Sequence, residues 1–225
     1  MSGRILSCQN LEIIAQNEII LNQLSLDIDL TEGNVIYGAN NSGKTLLCES
    51  IFANYEQIRG ILKVCDFSLN PISAADKSNL RRKLGYLPQF GNLLLHKTVR
   101  VNLLLAINAS DRIVDTPADT QIEELLKSFN CLHLLKKQVS FLSYSQQKII
   151  GFLRAIIHKP KFIIIDDLSS HLDDDTVNSI ITKLELLRSR DNTSYVIFQH
   201  NLNRLAIHSA KSYEIVEKNI VNLNS

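Results

Sequence analysis

The sequence predicts an α/β fold, a mainly parallel sheet with a helical lobe inserted at about residues 90–158. Three observations predict it. Residues 34–54 read as strand, glycine loop and helix in succession. The run "KFIIIDD" (161–167) is β-branched and apolar enough for a strand buried on both faces. Strands and helices alternate on either side of a stretch that reads as helix.

The elements follow in order. "LSLDIDL" (24–30) alternates apolar and polar residues and predicts a half-buried strand. "NVIYG" (34–38) is a short apolar run ending in glycine, a buried strand. Over 44–54, Leu46, Leu47, Ile51 and Phe52 recur at helical spacing. Helices are expected at 72–84 and 98–108, the first carrying Arg81 and Arg82 as a basic surface pair. The segment 115–130 opens with Thr116 before Pro117, an N-cap signal, with acidic residues behind it. Residues 143–160 predict a helix stopped near Pro160. After the strand at 161–167 come a helix (175–190), a strand (194–200), a short helix and a closing hairpin in "SYEIVEKNIVNLN". Asp174 and Asp175 are placed to cap the helix at 175.

At 225 residues the chain suits a single domain with one lobe attached. Its 45% hydrophobic and 21% charged residues fit a globular protein with a sizeable core. A net charge of +1 gives no bulk attraction to nucleic acid, and none is expected as a partner. Cys8, Cys48, Cys65 and Cys131 show no metal or redox spacing and read as buried thiols of a cytosolic protein. The start, "MSGRILSCQN", is a poor signal peptide, and no run approaches the roughly 20 apolar residues of a spanning helix. A role at a membrane would therefore require docking to a spanning partner.

The chemistry begins at "GANNSGKT". Gly38, Gly43, Lys44 and Thr45 match G-x-x-x-x-G-K-S/T at every defined position. The loop backbone through Gly38, Ala39, Asn40, Asn41, Ser42 and Gly43, with the following helix N-terminus, makes an anion nest. Lys44 supplies a point charge for the β- and γ-phosphates of ATP, and the Thr45 hydroxyl can ligate Mg²⁺. About 120 residues later, "IIIDD" ends an apolar strand in Asp166, placed beside Mg²⁺, and Asp167, aimed at an attacking water.

Four further motifs complete the pattern. "YLPQF" carries Gln89, "LSYSQQ" (142–147) opens a helix, "SSHLD" (169–173) follows the acidic pair, and "IFQH" ends at His200. In this order they resemble the Q-loop, signature, D-loop and switch histidine of the nucleotide-binding subunit of ABC ATPases. The resemblance runs from "LEII" to "KNIVNLN". It implies one ABC-type ATP-binding domain over 1–225, with its core in 1–89 and 159–225. The fold class it implies is a P-loop NTPase core with an N-terminal antiparallel β-subdomain and the inserted helical lobe. It also implies that two such domains, as homodimer or heterodimer, face head to tail around two ATP and drive an integral membrane subunit. Asp166, Thr45 and Gln89 would hold Mg²⁺; Asp167, Gln89 and His200 would serve the attacking water and γ-phosphate. Ser143, Ser145 and Gln146 would reach the partner's nucleotide, and Asp173 would link the two sites. His96, His133, His158, His171 and His208 have no such context.

Four departures bear on turnover. Asn41 replaces a glycine, but asparagine tolerates left-handed angles, so ATP binding should survive. Ala15 stands where the family carries an aromatic that stacks on adenine, a loss of on the order of 1–3 kcal/mol. Tyr144 and Ser145 replace two glycines of the signature, and a Cβ there crowds the opposing γ-phosphate. Asp167 replaces the usual glutamate and is one methylene shorter; a misplacement of about 1 Å can cost roughly 100-fold. The expectation is slow or partner-dependent hydrolysis.

The order "LRRKLGYLPQF…LLLHKTVRVNLL" is similar to the branch of cell-division and lipoprotein-release ATPases, although the D-loop differs. The site implied is the cytoplasmic face of the inner membrane, as a peripheral subunit. Other readings are a cytosolic assembly ATPase like the iron–sulfur assembly member, a non-hydrolysing nucleotide sensor, and a haem-exporter-type subunit. Members acting in DNA repair carry coiled-coil or zinc insertions, and this sequence carries neither.

Overall fold

The computed structural model describes residues 3–29, 31–90, 92–110, 116–200, 207 and 209–223. The N-terminal strands β1 (Arg4–Ala15) and β2 (Glu18–Asp29) form an antiparallel hairpin. Its turn uses Gln16 and Asn17, both with positive φ (50° and 64°), the left-handed pair that matches strand twist. β4 (Ile58–Val64) joins the other edge of β1, and β5 (Phe67–Ser68) closes an antiparallel sheet of order β2-β1-β4-β5.

The second sheet contains β3 (Gly33–Gly38), β6 (Leu84–Leu87), β7 (Phe162–Asp166), β8 (Ser194–Gln199), β9 (Lys211–Val216) and β10 (Asn219–Asn222). Its order is β10-β9-β3-β8-β7-β6, and all pairs are parallel except β9–β10, the expected closing hairpin. Every residue of β3, β7 and β8 is buried, as β-branched runs covered on both faces require. The half-buried strand expected at 24–30 is the second half of β2, with Leu24, Leu26 and Ile28 inward and Ser25 and Asp27 outward.

Side-chain alternation divides the core into two layers. Tyr37, Ile163, Ile165, Tyr195 and Ile197 pack with α3 (Val99–Asn108), α5 (Tyr144–Ile156) and α6 (Asp174–Asp191). Ile36, Phe162, Ile164, Val196 and Phe198 pack with α1 (Lys44–Ile51), α2 (Ala74–Lys83) and the N-terminal sheet. Each such side chain contributes about 1.5–3 kcal/mol on burial. Gly85 lets α5 approach β6: a Cβ there would lie 2.3 Å from the Ala155 carbonyl oxygen. Cys8, Cys48 and Cys131 are buried and Cys65 half-buried, and none forms a disulfide. Burial pushes the Cys8 thiol up to about 12 and the Cys65 thiol to about 11.

Several boundaries differ from expectation. The helix after the glycine loop ends at Ile51, because Ala53 turns left-handed (φ 56°). α4 (Ala118–Lys127) takes Pro117, not Thr116, as its N-cap. Proline has no N–H to satisfy there, and the Thr116 carbonyl instead accepts from the Gln121 side chain at 2.7 Å. The helix expected over 143–160 stops at Ile156, and Lys159 (φ 54°) turns the chain ahead of Pro160. α6 is capped by Asp173, whose carboxylate accepts from Thr176 N at 2.8 Å; Asp174 and Asp175 lie in the first turn instead. The short helix expected after His200 lies outside the described residues.

Candidate functional site

Parallel strands bring their C-terminal ends to one edge of the sheet, where loops converge. Four neighbours deliver the predicted residues there. β3 leads into the glycine loop, β7 ends at Asp166, β8 precedes His200, and β6 precedes Gln89. Asn40 to Leu46, Gln89, Asp166, Asp167 and His200, with Ile20 of β2, line one cavity of about 670 Å³.

The loop is built around two left-handed residues, Asn41 (φ 63°) and Gly43 (φ 93°). Asparagine thus adopts the angles expected of it. Gly43 is the N-cap of α1 and supplies no side-chain cap, and no acidic residue lies in that helix's first turn. By contrast Ser73, Thr98, Ser143 and Asp173 each cap their helices through a side-chain oxygen. The positive end of α1 is therefore left open to an anion. The Lys44 ammonium folds back and donates to the Gly38 and Ala39 carbonyls, each at 2.6 Å. Desolvation lowers its pKa, against the opposing pull of Asp166 and Asp167.

Asp166 and Asp167 are both buried, and each keeps one carboxylate oxygen without a hydrogen-bond partner, Oδ2 and Oδ1 respectively. Burial raises the Asp166 pKa, and its hydrogen bond with Thr45 opposes that shift. An orphaned carboxylate oxygen and a hydroxyl at the mouth of an anion nest are the hard oxygen donors that suit Mg²⁺. The Gln89 amide donates to Asp167 Oδ2 at 3.3 Å. Asp167 itself is left-handed (φ 55°), a conformation that costs a non-glycine residue on the order of 1 kcal/mol. Its N–H donates to the Phe198 carbonyl at 2.9 Å, and its carbonyl accepts from Lys148.

The signature residues lie outside this cavity and are used within the chain. Ser143 and Gln146 form a reciprocal capping box at the start of α5. The Ser145 hydroxyl donates to the His171 carbonyl at 2.7 Å. Tyr144 donates to the Gln89 carbonyl at 3.3 Å, and its ring lies 4.5 Å from that of His171. Ala15, at the position of the missing aromatic, is half-buried at the end of β1. Lys148 is the residue that no motif flagged: it lies beneath the acidic turn, where a periodicity argument places an ordinary helix lysine in solvent.

Comparison with known proteins gives concordant findings. A family model described as ABC transporter matches residues 21–170. The chain is 30% identical over 203 residues to the lipoprotein-releasing system ATP-binding protein LolD of Buchnera aphidicola, covering 88% of each. It is 26% identical over 183 residues to the methionine import ATP-binding protein MetN 1 of Pseudomonas fluorescens, covering 81% of this chain and 55% of that one. Among solved structures, the dimeric ATP-binding cassette MJ0796 bound to ADP and Pi superposes with a TM-score of 0.87 at 21% identity. That likeness covers 98% of this chain and 99% of the other, and at this identity it speaks for the fold.

Proposed function

The chain belongs to the ABC transporter family as an ATP-binding subunit, and from that premise we propose that it is a slow or partner-dependent ATP hydrolase driving a transmembrane subunit. The observation that carries the proposal is the single cavity holding the glycine loop, Gln89, both aspartates and His200. The chain is read as one ATP-binding domain with a helical lobe at about 90–158, set on the cytoplasmic face of the membrane. No helix among the described residues is long and apolar enough to cross a membrane. The resemblance to LolD favours the branch of transenvelope and lipoprotein-release systems.

In this reading the amides from Gly38 to Gly43 and the open end of α1 hold the phosphates, and Lys44 swings from its loop carbonyls to the β- and γ-oxygens. Thr45, Asp166 and Gln89 hold Mg²⁺, which when bound neutralises charge developing on the phosphate oxygens. Asp167 polarises a water that attacks the γ-phosphorus. The bond from that phosphorus to the ADP oxygen breaks, and the water's proton is taken up by the carboxylate. His200 holds the γ-phosphate and the water. Ser143, Ser145, Gln146 and Asp173 face a second ATP-binding chain, with a copy of this chain or a different one as partner.

The transmembrane subunit needs a docking place. A groove of about 740 Å³ runs between α2, β6, α3 and α5. Asn92, at the start of the lobe, lines one end of it. Lys77, Arg81, Arg82 and Arg154 line it against Glu56, over the stacked rings of Phe52 and Tyr86. Arg154 keeps a buried Nη1 without a partner. This lining suits a short helix that carries acidic side chains. Cysteines at Ser78, Asn92 or Ala109 are expected to cross-link to an integral membrane protein in native membranes. A cysteine at Thr182, on α6 away from the groove, is expected not to. Cross-links from Thr182 alone would contradict the docking reading.

A further inference from the structure

Lys148 is only 5% exposed, and its ammonium donates to the Asp167 carbonyl and, at 3.2 Å, to the Ser170 hydroxyl. Both direct acceptors are neutral; among the described residues Lys148 forms no ion pair, and the nearby Asp167 and Asp166 carboxylates only partly offset the desolvation of its charge. Burying an ammonium on neutral acceptors is costly, and an apolar side chain of similar length fills the same space at lower cost. Packing therefore does not explain this residue.

What an ammonium adds here is a fixed backbone. Asp167 and His171 are both left-handed (φ 55° and 63°), so the turn between them must be held from outside. Lys148 grips its first half, and the Ser145 hydroxyl grips the His171 carbonyl at its end. Both side chains come from α5, whose N-terminus is the signature. A carboxylate one methylene shorter than glutamate tolerates little drift of its own backbone.

We propose that Lys148 is a positioning residue for ATP hydrolysis, fastening the Asp167–Ser170 turn to α5 so that the short Asp167 carboxylate stays within reach of Gln89 and the nucleotide cavity. The proposal rests on the reading that Asp167 acts on the attacking water. It makes the signature helix a direct support of the catalytic turn in its own subunit.

The test uses Lys148→Met in the membrane complex and in the isolated chain. The expected result is a kcat at least about tenfold lower, with Mg²⁺–ATP affinity within about threefold of wild type and an unchanged or raised Tm. Amide hydrogen exchange across 167–171 is expected to quicken at least about tenfold. In an Asp167→Asn background, Lys148→Met should lower the rate by less than about twofold, since the group it positions is already gone. Lys148→Arg, which keeps a cation and its donors, should recover part of the rate. A Tm, affinity and kcat that fall together would make Lys148 structural and overturn the proposal. So would unchanged exchange across 167–171, whatever the turnover. An Asp167→Asn variant as fast as wild type removes the underlying reading of Asp167, and the exchange measurement still decides whether Lys148 holds the turn.

Discussion

Asp167→Asn is expected to lower ATP turnover in the membrane complex by at least about tenfold. The substitution keeps the side chain's shape and leaves the Gln89 contact a possible partner, but it removes the group that can take a proton from water. Asp167 is buried, its Oδ1 has no partner, and its Oδ2 accepts from Gln89 at 3.3 Å. A positioned base contributes roughly 10²–10⁴-fold. Tenfold is the lower bound because a retracted carboxylate starts below the full effect, while phosphate binding by the loop is untouched. Asp167→Glu should raise turnover or leave it unchanged, since the extra methylene restores reach. Phosphate release is the readout. If the asparagine variant hydrolyses as fast as wild type, Asp167 is not the base, and the non-hydrolysing sensor reading gains.

Lys44→Ala has a comparable effect on binding. Mg²⁺–ATP affinity should fall by about 30-fold or more, because hydrogen bonds to charged groups contribute roughly 1.5–3 kcal/mol and, on the proposed reading, Lys44 makes more than one to the phosphates. Its ammonium lies over the loop, 2.6 Å from two of its carbonyls, a short swing from the phosphate-binding amides. The open N-terminus of α1 retains some attraction for phosphate, which is why the loss is large but finite. Calorimetric titration, with a thermal melt to show that the variant folds, measures it. Equal affinities for variant and wild type would contradict the assignment of the loop.

The parts of the fold that sequence pattern carries are those whose physics is local. The apolar runs 34–38 and 161–167 cannot be surface strands, and the glycine loop needs left-handed angles that Asn41 and Gly43 supply. The order of strands in the sheet is a long-range property, and periodicity alone does not reveal that β3 lies between β8 and β9. The same limit governs the site. Gln89, the Asp166–Asp167 pair and His200 are separated by long stretches of chain, and their order and types point to one pocket that the parallel sheet assembles. Tyr144 and Ser145 were legible as a departure from glycine, but their engagement with Gln89 and His171 depends on loops whose conformation no motif specifies. Lys148 carried no signal, because a lysine on an amphipathic helix ordinarily points to water. Its partners sit on the left-handed turn at Asp167, a conformation that no motif in the sequence specifies.

On the proposed function, this chain is one half of an ATP-clamped pair mounted on a membrane subunit. Native mass spectrometry of the complex captured from membranes through the Asp167→Asn variant, with Mg²⁺–ATP present, tests it most directly. The predicted result is two ATP-binding chains, two copies of this one or this one with a companion, together with an integral membrane protein and bound ATP. Recovery of this chain as a single copy, with neither a second ATP-binding chain nor a membrane protein, would contradict it.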